Sequence, residues 1–175
     1  MIDLLRHGET QAGTGFFGRT DVPLSEVGLR QMWEAVADGT WGQVVSSPLV
    51  RCKAFAQAYS VKAGVPLTLC AALQEYNFGA WEGLTATDVM ALDSEALGRF
   101  WQDPYGYTPP EAESMSDFSV RVTQAIETIQ ARFAGQRVLV VTHAGVMRFL
   151  LARQQGLARD KLLSVTVEHA GLYRL

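Results

Sequence analysis

Cysteine and histidine are both scarce in this sequence, and no uncharged stretch is long enough to span a bilayer. The two cysteines, Cys52 and Cys70, lie far apart and neither belongs to a Cys-x-x-Cys pair, which removes zinc-ribbon and redox-motif readings. Both are expected to be small core residues of a protein in a reducing compartment. Charge of neither sign dominates: the net charge is -3 and the pI near 5.6, so nothing draws the chain generally to nucleic acid or to an anionic membrane surface. The opening Met1-Ile2-Asp3-Leu4-Leu5-Arg6 lacks a basic region and a signal-length apolar run, which gives the expectation of a cytoplasmic protein. A Walker-type glycine loop with lysine, the kinase motif set, repeats and low-complexity tracts are all missing. What is present is 175 residues, 48% hydrophobic and 19% charged, with a mean hydropathy of +0.06, which suits one compact domain over residues 1–175.

Apolar runs alternate with helical periodicity along most of the chain, the pattern of an α/β domain whose largely parallel sheet is covered on both faces. Val138-Leu139-Val140-Val141 is the strongest strand and should be central. Ile2 to Leu5, Gln43 to Val45 and Leu67 to Cys70 are shorter candidates, with late strands at Ser164 to Glu168 and Leu172 to Leu175. Ser25 is expected to cap a helix carrying Leu29, Met32, Trp33 and Val36 on one face and ending near Gly39. Ser47-Pro48 reads as the start of a second helix, with Arg51 in or near its first turn and Leu49, Cys52, Phe55, Ala56 and Tyr59 forming an apolar stripe up to Gly64. Ser114 and Asp117 resemble a capping box ahead of a long amphipathic face from Met115 to Phe133, and another helix should begin just after His143. The stretch from Asp103 to Glu113, rich in Pro, Tyr and Gly, reads as a loop able to line or cover a site.

Of the three histidines, His7 and His143 each follow an expected strand, so both should emerge at the carboxyl edge of the sheet, where open α/β folds bind ligands. Arg6 precedes His7, and Arg51 lies past another strand-to-helix turn. Two guanidinium forks and a helix start favour a tetrahedral dianion. A neutral imidazole can attack phosphorus and split a difficult hydrolysis into two steps, which makes His7 the expected nucleophile. Arg6, Arg51 and a protonated His143 would then stabilise the equatorial oxygens, with no metal required. Adjacent Arg6 would repel a cation, and no metal or other cofactor is expected. The leaving alkoxide needs a proton, for which Glu75 is the better candidate and Glu82 the rival; the aromatics of the Glu75 to Gly83 segment can shield a carboxyl from water.

These motifs resemble those of the histidine phosphatase superfamily, the phosphoglycerate-mutase-like family, over nearly the whole chain. The resemblance is carried by Arg6-His7-Gly8, by Asp21 with Pro23-Leu24-Ser25 and Gly28, by Ser46 to Arg51, by Glu75 to Gly83, and by Val141 to Gly145. It implies a three-layer α/β/α sandwich with a mixed, mostly parallel central sheet. It also implies His7 as the phosphorylated nucleophile, Glu75 as proton donor and later water activator, and Arg6, Arg51 and His143 as phosphate binders. The full phosphate-binding set then expected is Arg6, His7, Thr10, Arg51, His143 and Ala144. Gly18-Arg19-Thr20-Asp21 with Asn77-Phe78-Gly79 looks most like the α-ribazole phosphatases of cobalamin assembly. Three positions depart from the family pattern: Gly13 replaces an Asn that contacts phosphate, Phe55 a Thr, and Ala112 a Gly.

Taken singly, each residue has a plainer reading. A histidine beside an arginine is more often a surface or capping residue, Arg51 can be a solvated first-turn side chain, Glu75 a loop carboxylate and His143 a satisfied core histidine. Together they favour chemistry. His169 matches no block and is expected to be an exposed turn residue without a role; Trp81, Trp101, Tyr105 and Tyr107 are more simply packing than a clamp for a flat base. The expected activity is hydrolysis of a small-molecule phosphomonoester, α-ribazole 5'-phosphate in the sharpest form. The alternatives are a phosphoglycerate-mutase-type transferase or broad sugar phosphate phosphatase, and an inactive phosphate-binding module; the chain is expected to be a monomer or homodimer.

Overall fold

The computed structural model describes residues 1–175. Five strands, β1 (Ile2–Arg6), β2 (Gln43–Ser46), β3 (Leu67–Leu69), β4 (Val138–Thr142) and β5 (Leu172–Arg174), form one sheet in the order β3-β2-β4-β1-β5. All pairings are parallel except β5 against β1, so the sheet is mixed and mostly parallel. The helices are α1 (Glu26–Ala35), α2 (Val50–Ala63), α3 (Ala86–Leu92), α4 (Ala96–Gln102), α5 (Met115–Arg132) and α6 (Ala144–Gln154).

The inner strands β1, β2 and β4 are buried along nearly their whole length because both faces of the sheet are covered, while the edge strands β3 and β5 are partly exposed. Leu5, Val44, Leu139 and Val141 point to one side and pack with Met32 of α1 and Cys52, Phe55 and Ala56 of α2. Ile2, Leu4, Val45, Val138 and Val140 point to the other and pack with α5 and α6. That alternation makes three layers, and each fully buried Leu or Val contributes roughly 1.5–3 kcal/mol relative to exposure.

Several elements differ from the sequence expectation, each for a local reason. Helix α2 begins at Val50 rather than Pro48: the Asp21 carboxylate accepts the Val50 N–H at 2.6 Å, while the Ser47 hydroxyl accepts from Leu49 N. In α1, Ser25 caps as expected, yet Leu29 is exposed and Val36 already lies past the last turn. Ser164 to Glu168 is not a strand. A 3-10 helix, Arg159–Ser164, leads into it, and the carbonyls of Val165 and Val167 accept from Arg148 and Arg6 side chains instead of joining a ladder; β5 already occupies that side of β1. Helices α3 and α4 were not expected, although Thr85 and Asp88 form a reciprocal capping box ahead of α3. Cys52 is buried, whereas Cys70 is only half-buried.

Candidate active site

Register sets the site. Arg6 of β1 lies opposite Thr142 of β4, so the next residues, His7 and His143, leave the carboxyl edge side by side with ring centroids 5.3 Å apart. Beyond His7 the chain passes so close to α1 that a Cβ on Gly8 would stand 2.1 Å from the Gly28 carbonyl oxygen, and both positions need glycine for that contact. The His7 Nδ1 lies 2.8 Å from the Gly8 carbonyl, which can only accept, so the proton is assigned to Nδ1 and the Nε2 lone pair is left free. Burial, then the nearby Arg51 and Arg6 charges, push the His7 pKa down to about 3 against the opposing Gly8 bond. The ring is neutral at physiological pH.

Arg51, only 1% exposed, is caged. Its Nε donates to His143 Nδ1 at 3.2 Å, one terminal nitrogen to Thr20 O at 2.8 Å, and the other to Phe17 O and Gly18 O at 2.9 and 2.7 Å. The 17–20 loop that supplies these carbonyls is held by Glu82, which accepts the amides of Gly18, Arg19, Thr20 and Phe78 and the Thr20 hydroxyl. Burial works to raise the Glu82 pKa, but the Thr20 and amide hydrogen bonds outweigh it and hold the carboxylate ionised below its usual range. Glu82 therefore fastens a loop, and it is not among the residues that line the pocket around His7.

His143 is fully buried, accepting from Arg51 at Nδ1 and donating from Nε2 to Ser47 Oγ at 2.8 Å. Burial and the Arg51 charge lower its pKa well below the ordinary value. The sequence led us to expect a protonated His143; the structure has a neutral one braced beneath the pocket, because an imidazolium there would face a guanidinium at hydrogen-bond distance.

Arg6 donates to Val167 O at 2.6 Å and to His169 Nε2 at 2.9 Å, while its buried Nε has no partner. His169, given no role from the sequence, stands with its ring centroid 5.9 Å from that of His7 and lines the same pocket. The missed signal was topological: β5 runs antiparallel to β1, so the residues just ahead of β5 must lie at the carboxyl end of β1.

Glu75 follows a 3-10 turn, Ala71–Leu73, and is buried. Its two oxygens accept the Tyr76 and Gly145 amides, both at 2.8 Å. A Cβ on Gly145 would come within 2.3 Å of Glu75 Oε1, so glycine at the second position of α6 makes room for the carboxylate. Glu75 lies between two cavities. One, of about 260 Å³, is lined by Arg6, His7, Thr10, Arg51, Ala144 and Arg148, with Glu75 its one carboxylate. Gly13 is also on this wall at a φ of +69°, with open space where a side chain would stand. The other cavity, of about 520 Å³, is walled by Phe16, Phe78, Phe100, Trp101 and Phe118. The 103–113 loop lines neither cavity: Pro110 O accepts from Ala80 N, and the Tyr105 hydroxyl meets Ser119, so it packs as support rather than cover.

A sequence model of the histidine phosphatase superfamily (branch 1) matches residues 2–175. The chain belongs to that superfamily. It is 36% identical over 154 residues, 85% of its length, to a bifunctional protein of Mycobacterium tuberculosis, of whose length it spans only 42%. It is 30% identical over 155 residues to the adenosylcobalamin/alpha-ribazole phosphatase of Salmonella typhimurium, covering 86% of this chain and 77% of that one. Among solved structures, the alpha-ribazole phosphatase of Shigella flexneri superposes with a TM-score of 0.85 at 28% identity, over 98% of this chain and 87% of the other. No helix of this superfamily member is long and apolar enough to cross a membrane.

Proposed function

We propose that this histidine phosphatase superfamily member hydrolyses small phosphomonoesters through a phosphohistidine formed on His7. The observation that carries the reading is the state of His7: a buried neutral imidazole, Nδ1 tied to a carbonyl and Nε2 free, on a pocket wall it shares with Arg6, Arg51 and Arg148. The Nε2 lone pair forms a bond to phosphorus as the ester P–O bond breaks, and the leaving oxygen takes a proton from the Glu75 carboxyl. Water then adds to phosphorus and gives a proton to the Glu75 carboxylate; the P–N bond breaks and inorganic phosphate departs. Arg6 and Arg51 stabilise the equatorial oxygens, the unpartnered Arg6 Nε being a donor in want of an acceptor. The Thr10 side chain and the Ala144 amide at the start of α6 complete the phosphate cradle. His143 acts by holding Arg51, and reaches a phosphate oxygen with its Nε2–H only by giving up Ser47.

For the substrate, we favour α-ribazole 5'-phosphate, and with it a role in cobalamin assembly. The names of two relatives and the aromatic cavity beside Glu75, with room for a flat leaving group, support that choice. Acid-labile, base-stable labelling from a ³²P-monoester, lost in His7→Ala together with at least about 10³-fold of kcat, is the expected result. Unchanged turnover in His7→Ala would refute the nucleophile. In a substrate panel, conversion of 3-phosphoglycerate to 2-phosphoglycerate without phosphate release would instead mark a mutase, and inactivity on every ester a binding module.

A further inference from the structure

Glu75 stands on irregular chain between the 3-10 turns Ala71–Leu73 and Gly79–Trp81, where no ladder or helix fixes its backbone. One side chain from the facing helix does. Arg121 of α5 donates from one terminal nitrogen to Ala72 O and Gln74 O, both at 2.8 Å, and from the other to Glu75 O at 3.0 Å. Its Nε and the second terminal nitrogen also meet the two carboxylate oxygens of Glu113 at 2.9 and 2.6 Å. Glu113 Oε1 in turn accepts the Asn77 amide at 2.7 Å. The pair thus ties down the carbonyls of residues 72, 74 and 75 and the amide of residue 77, on both sides of Glu75. Arg19 adds to the cluster, meeting the Gln74 side chain and lying 3.8 Å from Glu113.

This is unlike an ordinary surface ion pair. The side chains are only 19% and 15% exposed, the pairing is bidentate, and the guanidinium lies 4.7 Å from the centre of the Phe118 ring. A planar fork with five N–H groups spans these acceptors in a way that a lysine ammonium cannot. Neither Arg121 nor Glu113 lines the phosphate pocket or the aromatic cavity, so neither touches the substrate.

We propose that Arg121 and Glu113 are the positioning pair for the Glu75 proton donor: they fix the height of its backbone so that the carboxyl meets the leaving oxygen. The inference rests on the role given to Glu75 above. It predicts a particular pattern of damage. An alkoxide needs the proton in order to leave, whereas p-nitrophenolate leaves without it, so misplacing Glu75 should penalise poor leaving groups selectively.

The test is kcat/KM, which reports the steps through leaving-group departure, measured for the full chain on a series from p-nitrophenyl phosphate to simple alkyl phosphates. Arg121→Lys is expected to lose at least about tenfold more on the alkyl esters than on p-nitrophenyl phosphate, steepening the dependence on leaving-group pKa in the manner of Glu75→Gln. Glu113→Gln, which keeps an acceptor for Asn77, should show a smaller loss of the same shape and serves if Arg121→Lys does not fold. A loss uniform across the series, or none, would overturn the positioning role. If Glu75→Gln itself lacked leaving-group dependence, the assignment of Glu75 would fall and the pair's role with it; a steepened Glu75→Gln beside uniform Arg121→Lys and Glu113→Gln removes the pair alone.

Discussion

Strand β1 carries a charged group at each end, and the two ends are built oppositely. Near its start, Asp3 is 2% exposed and accepts from Trp41 Nε1 and Arg137 Nε at 2.8 Å and from Arg174 Nε at 3.0 Å. One carboxylate there meets three donors and is satisfied. At the other end, Arg6, Arg51 and Arg148 share a pocket wall with a single carboxylate, Glu75, and Arg6 Nε is left buried without a partner. Buried polar groups are nearly always paired, so the closed cluster reads as a fastening and the open one as a place where a ligand supplies the missing acceptor. Charge alone does not separate the two ends; satisfaction does.

The sharpest way to break that contrast is Asp3→Ala. Removing the carboxylate strands the Trp41 N–H and unties β5, through Arg174, from β1. Because Arg137 and Arg174 are 36% and 58% exposed and can turn to water, we expect a stability loss of about 2 kcal/mol in urea unfolding rather than that of a sealed ion pair, with kcat unchanged. Burial works to raise the Asp3 pKa, but the hydrogen bonds from Arg174, Trp41 and Arg137 outweigh it and hold it below 3.8. A depressed carboxylate contributes stability above its unfolded pKa and loses it as pH falls through the folded one. The stability gap between the wild type and Asp3→Asn should therefore begin to narrow only as the pH falls below about 4, and go on narrowing through the depressed folded-state value. A kcat that fell along with stability would show the two ends to be coupled.

Glu82→Gln probes the open end. An amide in place of the carboxylate turns one acceptor into a donor, facing either the Gly18 and Thr20 amides or those of Arg19 and Phe78, which should loosen the carbonyl cage around Arg51. We expect kcat/KM to fall about tenfold, mostly through KM, with a smaller stability loss than in Asp3→Ala. Wild-type kinetics would mean that Arg51 holds its place without the loop.

What the sequence disclosed follows from how local each feature is. Strand β4 was readable because five consecutive residues are buried on both faces; His7, Arg51 and His143 each follow an expected strand within a short motif, Arg6 closes its strand just ahead of His7, and Glu75 joined them chiefly through the resemblance of its segment to a known family. Their partners were not readable. That three of the Arg51 N–H groups go to the carbonyls of Phe17, Gly18 and Thr20, or that Glu82 anchors the loop carrying them, depends on contacts across more than thirty or sixty residues that leave no periodic trace. Helices α3 and α4 escaped because seven residues give barely two turns of periodicity, although the Thr85–Asp88 cap was legible. The Ser164 to Glu168 strand failed because its alternation was right but its backbone acceptors were claimed by Arg148 and Arg6.

His169 is the residue in which that long-range limit matters most, since its contact with Arg6 joins positions 163 residues apart. Nε2 can accept from Arg6 only while unprotonated. Burial and then the Arg6 charge push its pKa below 6.5, with Glu9 and Glu168 opposing, so the acceptor is available at neutral pH and is lost as the medium acidifies through the lowered value. His169→Leu removes the acceptor and leaves Val167 O as the one remaining hold on the Arg6 guanidinium, so kcat/KM at pH 7.5 should drop about threefold, the scale of one hydrogen bond to a charged group in a half-exposed place. His169→Gln, whose side-chain oxygen can take the same N–H, should recover most of that. The acid limb of kcat/KM separates the two histidines: His7 titrates near pH 3, so a limb closer to neutrality that flattens in His169→Gln belongs to His169. An unchanged limb in that variant would return it to the substrate's own phosphate and leave His169 as packing beside the pocket.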